Sequence, residues 1–128
     1  MSLNVKLDTK EKFKVLTSQN ENITATMTVE LSKMLQSHSK SDIPHLILDL
    51  RNAKIIDTDV AQMISEVQRN FYNDGLSFVI CEMQEGVISV FEKEDLLDEL
   101  NYTPTLSEAW DIVQMEEIER ELMNGFDD

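Results

Sequence analysis

Cysteine, proline, glycine and tryptophan are all scarce in this chain: one, two, three and one respectively among 128 residues. Each shortage closes off a class of protein. A lone cysteine excludes an internal disulfide framework, and Cys81, set in the run Leu76-Ser77-Phe78-Val79-Ile80-Cys81, reads as a buried apolar side chain rather than a reactive thiol. The only histidines, His38 and His45, have no neighbouring Cys or second His at the spacing of a zinc site, and no Ser stands in a nucleophile elbow. No catalytic residue, metal or cofactor is therefore expected. No Gly/Ser linker, repeat or low-complexity segment divides the chain, so a single domain over 1–128 is expected, with 122–128 as a frayed tail. No apolar run approaches the roughly 18 to 20 residues needed to cross a bilayer. Residues 1–7 lack the basic start and long apolar core of a secretory signal. A cytoplasmic protein with no direct membrane insertion is the resulting expectation.

Positive charge is also short. Eleven Lys and Arg stand against 25 Asp and Glu, for a formal net charge of −14 and a pI near 4.4. Long-range repulsion from phosphates argues against nucleic acid and anionic membranes as partners and favours proteins with basic surfaces. From Glu82 to Asp128 there are fifteen acidic residues against Lys93 and Arg120 alone. This stretch reads as a solvated acidic face that aids solubility, with a dedicated docking surface as the alternative.

What is present is an alternation of strand and helix patterns, with hydrophobic residues at 41%. Lys12 to Ser18 has period-two character through Phe13, Val15 and Thr17, and Leu3 to Leu7 offers an antiparallel partner. Thr24 to Ser37 carries Met27, Leu31, Met34 and Leu35 at helical spacing. His45 to Leu50, after Pro44, is almost continuously apolar, as in a strand covered on both faces. A helix from near Asp59 to about Asn73 presents Val60, Met63, Ile64, Val67 and Phe71, and Asn73-Asp74-Gly75 stops it. Leu76 to Cys81 is the next strand, parallel to the previous one by the strand-helix-strand order.

A shorter helix follows over Gly86 to Glu94, and Leu96 to Tyr102 either continues it or forms a last short strand. Thr105-Leu106-Ser107-Glu108 matches a capping box for the final helix, whose stripe reads Ala109, Ile112, Val113, then Met115, Ile118 and Leu122. Trp110 is expected to reinforce its packing. The core is expected to include Ile47, Leu48, Phe78 and Val79, with Met63, Ile64 and Val67 packed on them.

The segment Asp57-Thr58-Asp59 stands between the apolar strand run and the helical stripe that starts at Val60. It places two carboxylates and a hydroxyl at a helix mouth, where unpaired N–H groups and a partial positive charge stabilise anions. Asp59 or Thr58 is expected to cap that helix, a contribution of about 1 kcal/mol. Thr58 is expected to be the only hydroxyl there able to receive a phosphate, with Asp57 and Asp59 disfavouring the added charge. A further possibility from residue types alone is that Asp49, Asp57 and Asp59 hold Mg²⁺ or act as acid and base.

The order of elements, with Leu48-Asp49-Leu50-Arg51, Ile55-Ile56-Asp57-Thr58-Asp59 and Ser107-Glu108-Ala109, resembles the STAS domain of bacterial anti-sigma-factor antagonists. The resemblance covers nearly the whole chain and implies an α/β fold, a mixed sheet with about four helices. Members of that family commonly carry Asp-Ser-Ser-Gly at the mouth of the second helix. A partner that is both serine kinase and anti-sigma factor phosphorylates the second Ser, and the unphosphorylated antagonist binds that partner. On this resemblance Asp59 is the phosphoacceptor equivalent, Thr58 aligns with the first Ser, Asp57 with the Asp before it, and Val60 replaces the Gly. Asn20-Glu21-Asn22-Ile23 stands where many members have a Gly-containing turn.

The resemblance implies a non-enzymatic protein-interaction module of a partner-switching system, binding a serine kinase/anti-sigma factor or related regulator. Its partner-binding residues are expected to be Asp57, Thr58 and Asp59, with Asn52, Lys54 and Gln62 as neighbours. The alternative is a STAS-like structural subunit of an ABC-type lipid transporter or a sensory scaffold, for which a permanent Asp59 is suited.

Overall fold

Val15, Ile47 and Val79 lie opposite one another on three adjacent strands, and so do Leu16, Leu48 and Ile80, one residue further along. These two rows point to opposite faces of one sheet and seed two hydrophobic layers. The computed structural model describes residues 2–126. In chain order the elements are β1 (Val5–Thr9), β2 (Phe13–Ser18), β3 (Asn22–Ile23), α1 (Thr28–Ser37), β4 (His45–Asp49) and β5 (Ile55–Ile56). They continue with α2 (Thr58–Asn73), β6 (Phe78–Cys81), α3 (Glu85–Lys93), β7 (Tyr102–Thr103) and α4 (Leu106–Phe126). The main sheet runs β1-β2-β4-β6-β7, antiparallel between β1 and β2 and parallel elsewhere.

One face carries the larger core. Leu16, Leu48 and Ile80 meet Leu31 and Leu35 of α1, Ile64, Val67 and Phe71 of α2, and Val87 and Phe91 of α3. The rings of Phe71 and Phe78 lie 5.2 Å apart. On the other face Val15, Ile47, Val79 and Cys81 pack beneath Ala109 and Val113 of α4 alone. Coverage on both faces explains why β6 and the Leu46–Leu48 centre of β4 read as apolar runs. The chain turns out of α2 through Gly75, at φ +73, a left-handed position where a side chain would be strained.

Several local expectations are corrected. The first helix begins at Thr28 rather than Thr24, because Ala25–Met27 forms a separate 3₁₀ turn after an extended Thr24. The Ile55-Ile56 pair is a strand: β5 pairs in parallel with β3 in a second, two-stranded sheet. α3 is not continued: it ends at Lys93, Asp95 takes a positive φ, and after a separate 3₁₀ turn over Leu97–Glu99 the chain enters the short strand β7, which starts only at Tyr102. The capping box of α4 has altered wiring. The Glu108 N–H donates to Thr105 Oγ1 (3.3 Å), and the Thr105 hydroxyl itself donates to Glu108 Oε1 (2.9 Å). The next N–H, of Leu106, donates to Glu82 Oε2 at 2.8 Å.

The larger correction concerns the stripe on α4. Ala109 and Val113 are buried and Trp110 meets Phe13 edge-on at 5.3 Å, but Met115, Ile118 and Leu122 are exposed. A 21-residue helix is about 31 Å long, whereas strands of four to six residues span about 13 to 20 Å, so much of α4 outruns the sheet. Its last anchored turn is polar. Ser77 Oγ accepts from Arg120 Nη2 and donates to Glu116 Oε1, both at 2.6 Å, and the Ser77 N–H donates to His45 Nδ1 at 3.1 Å. Of the tail expected at 122–128, residues through Phe126 are helical, and Asp127 and Asp128 lie outside the described residues.

Candidate functional site

Asp57 is the N-cap residue of α2, with extended backbone (φ −77, ψ 157), and its carbonyl accepts from the Val60 and Ala61 N–H groups at 3.0 and 3.2 Å. Its carboxylate does not cap the helix. Instead Oδ2 accepts from the Ala25 N–H at 2.6 Å, while the Asp57 N–H donates to the Ile23 carbonyl at 3.0 Å. The short β3–β5 pairing brings Ile23 beside Ile56, and Asp57 extends that ladder by a side-chain bond. The capping expected of Thr58 or Asp59 is not found, because both are already inside the helix as its first two residues.

The consequence is a division of roles between the two carboxylates. Asp57 is committed to holding the turn before α1 against the mouth of α2. Thr58 and Asp59 are exposed, and neither side chain makes a hydrogen bond among the described residues. Asp59 sits in the first turn of a 16-residue helix, where the aligned peptide dipoles favour negative charge. Gln62, one turn further on, lies on the same face, and its Nε2 donates to Glu94 Oε1 at 3.1 Å.

Asn52 and Lys54 occupy the loop between β4 and β5 and are turned to other partners. Asn52 Nδ2 donates to the Ser18 carbonyl at 3.1 Å, which pins that loop to the end of β2. Lys54 forms an exposed ion pair with Glu21 at 3.5 Å, worth little in water. Its backbone matters more: a Cβ on Gly86 of α3 would overlap the Lys54 carbonyl, so the loop and α3 are in direct backbone contact. Two features of this surface escaped sequence reasoning. Ile55 is 51% exposed while Ile56 is buried, an alternation that even a two-residue strand imposes. Thr24 and Thr26, whose hydroxyls are 2.9 Å apart, flank Ala25 and so stand near the mouth, where Thr58 was expected to be the only hydroxyl.

Asp49 is held apart from this surface. It is buried, and its carboxylate accepts from the Arg51 N–H (3.0 Å), Nε (2.9 and 3.1 Å) and Nη2 (2.8 Å). Those bonds and the charge of Asp49 raise the Arg51 pKa above its ordinary value. A carboxylate so fully paired is a structural tie between strand end and loop. Among the described residues no three His, Cys, Asp or Glu side chains converge to hold a metal ion, so Asp49, Asp57 and Asp59 do not form such a group. Beneath this end of the sheet, burial pushes the Cys81 thiol up to about 12, helped by the nearby Asp49 and Glu82 carboxylates. It behaves as the apolar side chain that the sequence suggested.

The model of the STAS domain matches residues 4–109. The chain belongs to the STAS domain family. Among solved structures it is similar to an anti-sigma factor antagonist from Mycobacterium paratuberculosis, at 14% identity, TM-score 0.73, covering 88% of this chain and 95% of that one. It is similar to RsbS of Moorella thermoacetica, in a form with a serine replaced by glutamate, at 17% identity, TM-score 0.71, covering 91% and 97%. A third is the anti-sigma factor antagonist SpoIIAA in its unphosphorylated form, at 13% identity, TM-score 0.69, covering 87% and 96%. At these identities the likeness is one of fold: a single α/β domain with a mixed sheet and four helices. No helix among the described residues is long and apolar enough to cross a membrane.

Proposed function

We propose that this chain is a non-enzymatic interaction module of a bacterial partner-switching system, binding a serine kinase/anti-sigma factor or a related regulator through the mouth of α2. The observation that carries the proposal is the exposed, unbonded carboxylate of Asp59 in the first turn of α2, beside an Asp57 that is already committed. Membership in the STAS family and the anti-sigma factor antagonists among similar folds support it. Asp59 supplies about one negative charge where phosphoserine would supply roughly 1.5 to 2, with fewer acceptor oxygens. It stands as a fixed, partial equivalent of the phosphorylated state. The binding surface comprises Asp57 as its organiser, Thr58 and Asp59 as its exposed groups, and Gln62, Asn52 and Lys54 at its margins.

The permanence of Asp59 also favours a second reading, a structural subunit docked on an ABC-type lipid transporter or a sensory scaffold, which needs no reversible phosphate. Calorimetric titration against a soluble serine kinase/anti-sigma factor from the same genome, and separately against a transporter ATPase, separates the two. Hydrogen exchange on the complex locates the footprint. Binding to the kinase with protection over residues 57–62 is expected, weaker than that of Asp59→Ser because the Asp59 carboxylate reproduces only part of the phosphate's charge. Binding to neither, or protection that leaves the α2 mouth open, refutes the proposal.

A further inference from the structure

The helix α4 carries two apolar faces. At about 100° per residue, Val113, Glu116 and Arg120 lie within about 40° of Ala109, on the side that meets the sheet. Met115, Ile118 and Leu122 lie about 180 to 240° round from Ala109, and are 55, 56 and 58% exposed. A rigid helix cannot bury both faces against one sheet. The outer stripe has i, i+3, i+7 spacing, the pattern of a helix seam. It also lies beyond residue 109, where the family match ends.

Along α4 itself the flanks of this stripe are of one sign. Asp111, Glu119 and Glu121 border it, and among residues 106–123 the single cation, Arg120, is tied to Ser77 on the inner side. From the β1–β2 turn, Lys10 and Lys12 line a cavity that Ile118 also lines, with Lys12 paired to Glu117 at 3.9 Å and Lys10 over the Trp110 ring. Apolar residues so placed gain from burial, while their borders repel acids. A second copy of this chain would set acid against acid, and an anionic bilayer would be repelled in the same way. We infer that the outer face of α4 is a docking surface for an amphipathic helix of another protein, one whose apolar stripe is flanked by Lys and Arg. The stripe supplies contact area, and the acidic borders select the partner and its orientation. This surface is separate from the mouth of α2 and gives the chain a second point of attachment.

Two synthetic helical peptides test it on the full chain, both with a Leu stripe at heptad spacing, one flanked by Lys and Arg and the other by Glu. Fluorescence anisotropy should show the basic peptide binding at least about tenfold tighter than the acidic one, with the difference shrinking at about 0.5 M salt. Ile118→Asp combined with Leu122→Asp should weaken that binding about tenfold or more, with the circular dichroism spectrum unchanged because both residues are exposed. Asp59→Ser should leave it unaltered. Equal binding of the two peptides, or binding indifferent to the double substitution, overturns the inference. So does a wild-type dimer in sedimentation that the double substitution makes monomeric, or preferential capture by phosphatidylcholine/phosphatidylglycerol vesicles.

Discussion

The carboxylate of Asp57 accepts a 2.6 Å hydrogen bond from the backbone N–H of Ala25, across 32 residues of sequence. That bond makes the turn before α1 and the mouth of α2 one mechanical unit, and it leaves Asp59 as the free carboxylate of the pair. Replacing Asp57 by Ala should cost about 1 to 2 kcal/mol, since the lost bond has a charged acceptor. Asn, which keeps an acceptor oxygen, should recover part of the loss. Urea denaturation measures the cost, and faster hydrogen exchange at Ala25 in the Ala variant locates it. Unchanged exchange at Ala25 would mean that the bond does not hold the turn.

Gly86→Ala offers a case where two effects of opposite sign compete. In an open helix the change gains up to about 1 kcal/mol of helix propensity. Here the new Cβ would overlap the Lys54 carbonyl, a backbone atom that moves only with its loop. Overpacking of that kind costs about 1 to 3 kcal/mol, so a net loss of stability is expected. A thermal melt of the variant should fall below wild type, and NMR shift changes should centre on residues 53–57 in the loop leading to the α2 mouth.

Both histidines make stability depend on pH. Burial first, and then Arg120, lower the pKa of His45 against the opposing pull of Glu117 and Glu116, and burial and Lys14 lower that of His38. Below the ordinary value of about 6.5 the unfolded chain therefore binds more protons than the folded one. Stability from this source is fully present above about pH 6.5 and is lost as pH falls through the folded pKa values. Urea midpoints at pH 7.5 and 5.5 should differ in that direction. His38→Asn with His45→Asn, which retains an acceptor for the Ser77 N–H and for Lys14, should flatten the difference.

Cys81 should be inert in the folded protein. It is fully buried and its thiol is pushed up to about 12, so very little thiolate exists at neutral pH. Reaction with a thiol reagent should proceed at the rate of unfolding and become fast in urea.

The central strands were legible because burial on both faces makes consecutive positions apolar, as Leu46, Ile47 and Leu48 show. The register of α2 was legible too, since Val60, Ile64, Val67 and Phe71 repeat at the helical period over about three turns. The role of Asp57 was not. A carboxylate before a helix has the same local signature whether it caps that helix or reaches a turn 32 residues away, and only the β3–β5 pairing brings Ala25 within reach. Two-residue strands carry too little pattern to be seen. The outer stripe of α4 was present in the spacing: six residues from Ala109 to Met115 is about 240°, nearly the opposite side of the helix. Reading it as one stripe with Ala109 and Val113 joined two faces that the sheet can cover only singly.

The most direct test of the proposed function is the affinity of wild type and Asp59→Ser for the serine kinase/anti-sigma factor, measured by calorimetry. Asp59 is exposed and makes no hydrogen bond among the described residues, and Ser is tolerated in the first turn, so the fold should be unaffected; circular dichroism verifies this. If Asp59 fixes the state that relatives reach by phosphorylation, Ser should raise affinity by about tenfold or more, roughly 1.4 kcal/mol. It should also be phosphorylated by the kinase in the presence of ATP. Equal affinity with the fold intact would contradict the account and leave Asp59 as an ordinary first-turn carboxylate, and a loss of affinity would favour a scaffold built around the charge.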